Sequence, residues 1–486
     1  MLHVWLIGGL AVYFLALLAL SFVRQRTKSG EDFFLAGRRT PAWMLGFAFI
    51  ATWYGGNSAL ISVDEAYADG MSSWWILGGP TVIAVLALIA FAPLIRRTGA
   101  MSQNGILASR YNAATGNLLS VVLTLYLVMW GASQMVAIGH FFESFFDISY
   151  FTAILIAVAV CVVYALVGGF RAVVYTEVFQ FLLLLAGLIV TMCVALTLSG
   201  GWDNVSAIAA ETREPGYFNL FHGIQLNLSF IISFGLAFMI DGAAWQRIQA
   251  APTPKAARWT AVTALVGFVP LYFFVVITGI AALGVFGEVP AGGIVSTLAA
   301  DHMPPWLTTL VFVGIAAAIM STICTTFNVA SLYITELTVK YALKDATQKQ
   351  TVRTGRVATV AAAVLGMVVA VQLPSALEVL GLASELITAG LFWPMVFGFF
   401  WKRGNTPGAI ASILAGGTFI LYGFAIEFGA PLPHFWTDGP ARILTGLALS
   451  LVAYLVVSLA TKPETEKAGA FIAAARGKGG TAAAER

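Results

Sequence analysis

The sequence predicts an all-α integral membrane protein, and three observations carry that prediction. The 486 residues are 59% hydrophobic and 10% charged, with a mean hydropathy of +0.88, whereas a soluble domain carries about 25% charged residues. A chain this apolar cannot clothe its surface in polar groups. Second, a membrane-crossing helix needs about 20 apolar residues, and about thirteen segments meet that length. Third, basic residues recur in every other loop.

The expected spans lie near residues 3–23, 42–68, 73–95, 117–141, 149–168, 173–199, 225–245, 260–286, 307–336, 356–373, 376–401, 407–428 and 442–461. The first has no basic residue before it and no small-residue cleavage site after it, so it reads as a retained span and not a signal peptide. Arg24, Arg26, Lys28, Arg38 and Arg39 follow span one, and Arg96, Arg97 and Arg110 follow span three. Arg171 follows span five; Arg247, Lys255 and Arg258 follow span seven. Lys340, Lys344, Lys349, Arg353 and Arg356 follow span nine, Lys402 and Arg403 span eleven, and Lys462, Lys467, Arg476, Lys478 and Arg486 end the chain. Of the 26 basic residues, all but Arg213 and Arg442 therefore sit on one side. Positive loops stay in the cytoplasm. The expectation is a multi-pass plasma-membrane protein with an odd number of spans, its N-terminus outside and its C-terminus cytoplasmic.

The loops around 200–224 and 287–306 are punctuated by Gly and Pro and are expected to form short caps over a cavity. Residues 1–462 read as one polytopic domain; the tail 463–486, rich in Ala, Gly and Lys, reads as a disordered cytoplasmic segment with no soluble domain appended. Cys161, Cys193 and Cys324 fall in apolar segments, without a CxxC or His/Cys cluster. They read as small core residues, with no disulfide framework or zinc site.

Residues 51–57, ATWYGGN, interrupt the second span. Backbone groups in lipid must be hydrogen-bonded, so a break at Gly55-Gly56 is tolerable only where it lines a cavity. Discontinuous helices place ion and solute sites near the midplane, with unwound carbonyls coordinating a cation. The same glycines equally fit close helix packing. A second segment, GIAAAIMSTICTTFN at 314–328, sets Ala318, Ser321, Thr322 and Thr325 on one helical face. Such hydroxyls either bond back to their own backbone or supply the oxygen ligands that hard cations prefer. Asp64, Glu65, Asp241 and Glu385 are intramembrane acids, functional suspects by default; helix ends at the interface also satisfy such groups.

In order along the chain, DFFLAGR at 32–38, GGFRAVVYTEVFQ at 168–180, WQR at 245–247 and AAIMSTICTTFN in the ninth span make the sequence similar to the sodium:solute symporter family. Glu177 stands where that family usually has Asp. The resemblance covers nearly the whole chain and implies the inverted-repeat fold of the leucine transporter. That means five plus five spans, 42–199 and 225–401, with broken helices in spans two and seven and peripheral helices at 3–23 and 407–461. It implies a sodium ion held by the backbone carbonyls of Ala51, Tyr54 and Ala318 and the hydroxyls of Ser321 and Thr322. Some members hold a second sodium, and the matching positions here are Glu177, Cys324 and Thr325; the thiol and the longer acid suit it poorly. Glu177 could instead carry a proton or pair with Arg171.

Trp53 in the break and Trp130 in the fourth span resemble the choline-transporting branch, and a tryptophan face stabilises a cationic nitrogen by about 0.5–2 kcal/mol. Trp53, Gly55, Asn57, Trp130 and Asp241 are the candidate solute residues, with Asp241 or Asp64 as countercharge. Residues 234–240, FGLAFMI, are nearly free of hydrogen-bonding side chains, which favours an amine, amino acid or carboxylate over a sugar. The resemblance implies co-transport of a small solute with sodium in a lipid bilayer, and no nucleic-acid partner. The rival class is a transporter-like membrane sensor acting with a separate signalling partner. An enzyme is disfavoured, because no paired His, metal-ligand cluster or Ser/His arrangement lies within the spans.

Overall fold

The structure, a computed structural model, describes residues 2–22, 30–146, 148–167, 170–437 and 439–478. In chain order its helices are α1 (Leu2–Phe22), α2 (Gly30–Leu35), α3 (Ala42–Trp53), α4 (Ser62–Asp69), α5 (Trp74–Arg97), α6 (Gln103–Arg110) and α7 (Ala113–Phe146). There follow α8 (Tyr150–Val167), α9 (Phe170–Leu198), α10 (Trp202–Thr212), α11 (Leu228–Met239), α12 (Gly242–Ala250), α13 (Pro254–Ala281) and α14 (Ile294–His302). The last six are α15 (Pro305–Tyr341), α16 (Gln348–Gln372), α17 (Ala376–Gly398), α18 (Thr406–Glu427), α19 (Gly439–Ala460) and α20 (Thr465–Ala475). The described residues contain no strand. Helices satisfy their own backbone, which is why lipid admits them.

Among the described residues, length and composition give 11 helices able to cross a membrane and two shorter apolar ones, Ala42–Trp53 and Tyr150–Val163, beside the about thirteen spans expected. The difference is local. The second expected span is divided, and its later half runs on with the third as one apolar stretch, Asn57–Arg97.

Among the described residues, two helices are broken. In the first, α3 ends at Trp53, Tyr54 turns out of helical geometry at φ −85°, ψ 79°, and the chain resumes through a π-helical turn, Asn57–Ile61, into α4. Gly56 is already helical at φ −60°, ψ −40°, so the break lies at Tyr54-Gly55, one residue earlier than the glycine pair suggests. In the second, α11 ends at Met239 and Asp241 is extended at φ −63°, ψ 135°, with its side chain capping α12.

Helix α15 runs through the centre, packed on α7 and α9; α13 joins α3 and α5, and α11 lies between α5 and α17. From Val311 to Tyr333 every residue of α15 is buried. Helix α19 is tied in by Arg442, which donates to Glu385 of α17 at 2.6 Å and Glu427 of α18 at 2.5 Å. The suspect acid Glu385 is thus one member of a three-helix ion cluster. The two punctuated loops carry short helices, α10 and α14; Asp64 fastens α14 by accepting from the Ile294 amide at 2.9 Å.

Two expectations need correction. The tail is not disordered from residue 463: α20 forms, with Ala468, Ile472 and Ala475 buried. Phe471 packs on Phe399 at 5.2 Å between ring centroids, and Lys467 donates to the Tyr111 carbonyl. The alanines that looked like low complexity are the strongest helix formers. Residues 479–486 lie outside the described part. Of the cysteines, Cys161 and Cys324 are buried, but Cys193 is exposed.

Candidate functional site

The hydroxyl face of α15 meets the last turn of α3. Ser321 Oγ lies 2.7 Å from the Ala51 carbonyl and 2.7 Å from the Ala318 carbonyl. Thr322 donates to the Ala318 carbonyl at 3.1 Å. Of the two alternatives left by the sequence, the structure shows the first: the hydroxyls bond back to their own helix, and Ser321 also reaches across to the break. Tyr54 supplies the irregular turn between them; its ring stands 5.1 Å from that of Tyr272. Of the five residues expected to hold sodium, Ala51, Ala318, Ser321 and Thr322 are brought together by direct contacts and Tyr54 by its place in the break.

Helix α7 repairs the interruption. Gln134 accepts from the Gly56 amide at 2.7 Å, and Asn57 donates to Ser133 at 3.4 Å. A Cβ at Gly55 would lie 2.1 Å from Gln134 Oε1 and 3.0 Å from Thr322 Oγ1. The glycine is there for this close approach, not for a positive φ. Overpacking of this kind costs about 1–3 kcal/mol. Gly55→Ala should lower the melting temperature and weaken sodium-dependent uptake about tenfold or more, read in paired melting and sodium-titration measurements.

Glu177 and Thr325 are also brought together, but not alone. Glu177 Oε1 accepts from Thr325 at 2.6 Å, from Thr52 at 3.1 Å and from Arg247 at 2.5 Å. Arg171 is not its partner; it reaches the Ala36 carbonyl instead, at 3.4 Å. Arg247 was counted with a basic loop, yet it lies inside α12, with its side chain 0% exposed. The signal that could have found it is the rule that a carboxylate deep in an apolar helix needs a positive partner. Cys324 turns away, its thiol 3.4 Å from the Cys161 carbonyl.

The aromatic candidates converge at the second break. Trp53 Nε1 donates to Asp241 Oδ1 at 2.8 Å, and the Ala244 amide caps the same oxygen at 2.7 Å. Asp241 Oδ2 and the Tyr126 hydroxyl are buried without a hydrogen-bond partner among the described residues, and Tyr126 neighbours Asp241. Phe238 lies 4.9 Å from Trp53 and 6.2 Å from Trp130; Tyr126 lies 5.6 Å from Trp130. Sequence reasoning placed Trp53, Trp130 and Asp241 but missed Tyr126 and Phe238. The apolar stretch FGLAFMI contributes a ring where the reading saw only an absence of polar groups.

A cavity of about 520 Å³ leads toward the first break, lined by Leu60, Ile61, Asp64, Ala137, His140 and Glu143 among others. Its lining residue Ala137 lies against the break, since a Cβ on Gly56 would be 2.4 Å from the Ala137 side chain. Asp64 of α4 and Glu143 of α7 line the cavity together with the start of α14, and these acids favour cations.

Broken helices facing a hydroxylated one are a transporter's geometry, and comparison with known proteins agrees. The chain is similar to the sodium/glucose cotransporter of Vibrio parahaemolyticus, 27% identical over 474 residues, 89% of this chain and 85% of that protein. It is equally similar to the sodium/proline symporter of Staphylococcus aureus, 27% identical over 492 residues, 95% of this chain and 93% of that one. In fold it resembles a sodium-coupled sialic acid symporter in a substrate-bound outward-open state, with a TM-score of 0.78, 20% identity and coverage of 95% and 98%. A nucleobase-cation-symport-1 family transporter in a closed conformation matches with a TM-score of 0.60, 14% identity and coverage of 90% and 97%. The model of the sodium:solute symporter family matches residues 33–416, and the chain belongs to that family.

Proposed function

We propose that this protein accumulates a small organic solute bearing a cationic nitrogen, an amine or amino acid, in symport with sodium. The symport itself follows from the family; the nitrogen is our reading of the site. One observation carries it: Asp241, fully buried, meets the Trp53 indole inside a cluster of rings, and its second carboxylate oxygen lies beside the Tyr126 hydroxyl without a well-formed hydrogen bond among the described residues. A buried carboxylate is costly unless a positive group meets it, and ring faces attract the same cation. A sugar offers neither charge, and an anionic carboxylate would be repelled.

Sodium would be held by the carbonyls of Ala51, Tyr54 and Ala318 with Ser321 and Thr322, joining α3 to α15 and favouring the shape in which the vestibule is open. Gly55 and Asn57 shape the floor between ion and solute. Solute on Asp241 then favours occlusion and rocking of one repeat, 42–199, against the other, 225–401. Each ligand tightens the other by the same factor. With the N-terminus outside and the C-terminus inside, a membrane potential contributes about 2.3 kcal/mol per charge per 100 mV to accumulation.

The test is uptake into proteoliposomes of a labelled panel of quaternary amines, amino acids, carboxylates and sugars, with and without an inward sodium gradient. Sodium-dependent accumulation of a cationic-nitrogen solute is expected. Accumulation confined to sugars or anions would overturn the nitrogen reading; equal accumulation without sodium would overturn the coupling.

A further inference from the structure

The Glu177–Arg247 cluster has no part in the sodium site proposed above, yet it lies beside it. Thr52 follows Ala51 on α3, and Thr325 is one helical turn beyond Ser321 on α15. The cluster draws one side chain from each of four elements: Thr52 of α3, Glu177 of α9, Arg247 of α12 and Thr325 of α15. None is more than 1% exposed. We infer that the Arg247 guanidinium is a resident cation occupying the place between Glu177 and Thr325 where a second alkali ion would otherwise sit, so that the carrier moves a single sodium per solute.

The hydrogen bonds argue for this directly. Thr325 gives its proton to Glu177 at 2.6 Å, and its oxygen accepts from Arg247 Nη2 at 3.2 Å. The hydroxyl thus turns its proton, not a lone pair, toward Glu177, and Arg247 takes one of its two lone pairs. Glu177 Oε1 already takes three donors. Its other oxygen has no partner among the described residues, but a lone carboxylate oxygen is not a cage for a hard cation, which takes several oxygens. The next side chain along, Cys324, offers sulfur, a poor alkali-ion ligand.

Charge points the same way. The Arg247 guanidinium and the Glu177 carboxylate, both buried, already sum to zero. A sodium ion added within about 4 Å of Arg247 would meet a like charge strongly enough, in a partly screened interior, to weaken binding on the order of a thousandfold. Arg247 is held further by the Ala243 carbonyl and Gln246, both at 3.2 Å. It is fixed by its own helix and present at every sodium concentration. The electrical and chemical driving force is then that of one ion.

The inference rests on the Ala51–Ser321 sodium site, and the experiment separates the two. Equilibrium binding of radioactive sodium chloride, with no solute present, is counted on the purified full chain by scintillation proximity. The wild type should bind one sodium per chain with a Hill coefficient of one. The charge-neutral pair Glu177→Gln with Arg247→Gln should keep that count. Arg247→Gln alone, which exposes Glu177 and Thr325 to each other without a cation, should bind two. A count of two in the wild type, a loss of sodium in the neutral pair, or a count that stays at one in folded Arg247→Gln overturns the inference. Should that single variant fail to fold, the wild-type and neutral-pair counts decide. Sodium still bound by Ser321→Ala with Thr322→Ala would instead overturn the Ala51–Ser321 site itself.

Discussion

Replacing Ser321 and Thr322 together by alanine removes sodium-stimulated uptake and leaves the protein folded. Each hydroxyl is a prospective ligand to a charged group, and a hydrogen bond to a charged group contributes about 1.5–3 kcal/mol. Losing two such contacts corresponds to roughly a hundredfold to ten-thousandfold weaker sodium binding, at about 1.4 kcal/mol per factor of ten. The structural cost is smaller. Ser321 gives up its bonds to the Ala51 and Ala318 carbonyls, and Thr322 its bond to Ala318. Neutral bonds of this kind contribute about 0.5–1.5 kcal/mol net, and the Ala318 carbonyl sits within a continuous helix. Apparent sodium affinity from uptake titrations should therefore collapse while the melting temperature falls by a few degrees. A double variant whose sodium dependence stays within threefold of wild type, at unchanged solute uptake, would remove these residues from the ion site.

Much of this site was legible because its residue types are out of place in a membrane helix. Gly55 beside Tyr54 announces a break, and Ser321 and Thr322 share a helical face by spacing alone. The second break was not visible that way. Between Met239 and Gly242 the sequence offers no paired glycines, and Asp241 ends one helix and caps the next using an ordinary N-cap residue. Arg247 was hidden for a different reason. Charge counting assigns an arginine at the end of an apolar segment to the adjoining loop, whereas α12 carries it on into the core to meet a carboxylate 70 residues away. Tyr126 and Phe238 were hidden because aromatic residues in an all-apolar helix leave no periodic trace of which side faces a site. The tail misled through composition: alanine with scattered lysine reads as low complexity until Phe471 and Ile472 find a surface to pack on.

The other large effect is expected at Asp241. Asn is as good an N-cap as Asp, and Asp241→Asn keeps an acceptor for the Ala244 amide and for the Trp53 indole, now at 2.7 Å and 2.8 Å. What it removes is charge. The melting temperature should hardly change, while the apparent affinity for a cationic solute falls about ten- to a hundredfold, the equivalent of a charge-assisted bond of about 1.5–3 kcal/mol. Apparent sodium affinity measured without solute should move little, since the α3–α15 contacts do not include this side chain. Trp53→Leu makes the comparison quantitative. It removes one ring face, with about 0.5–2 kcal/mol of cation attraction, and one donor to Asp241, so its loss should be the smaller of the two. If Asp241→Asn binds the transported solute as tightly as wild type, or more tightly, the nitrogen does not sit on this carboxylate. Tighter binding would mean that the solute presents an anion there, because only an anion gains from losing the charge.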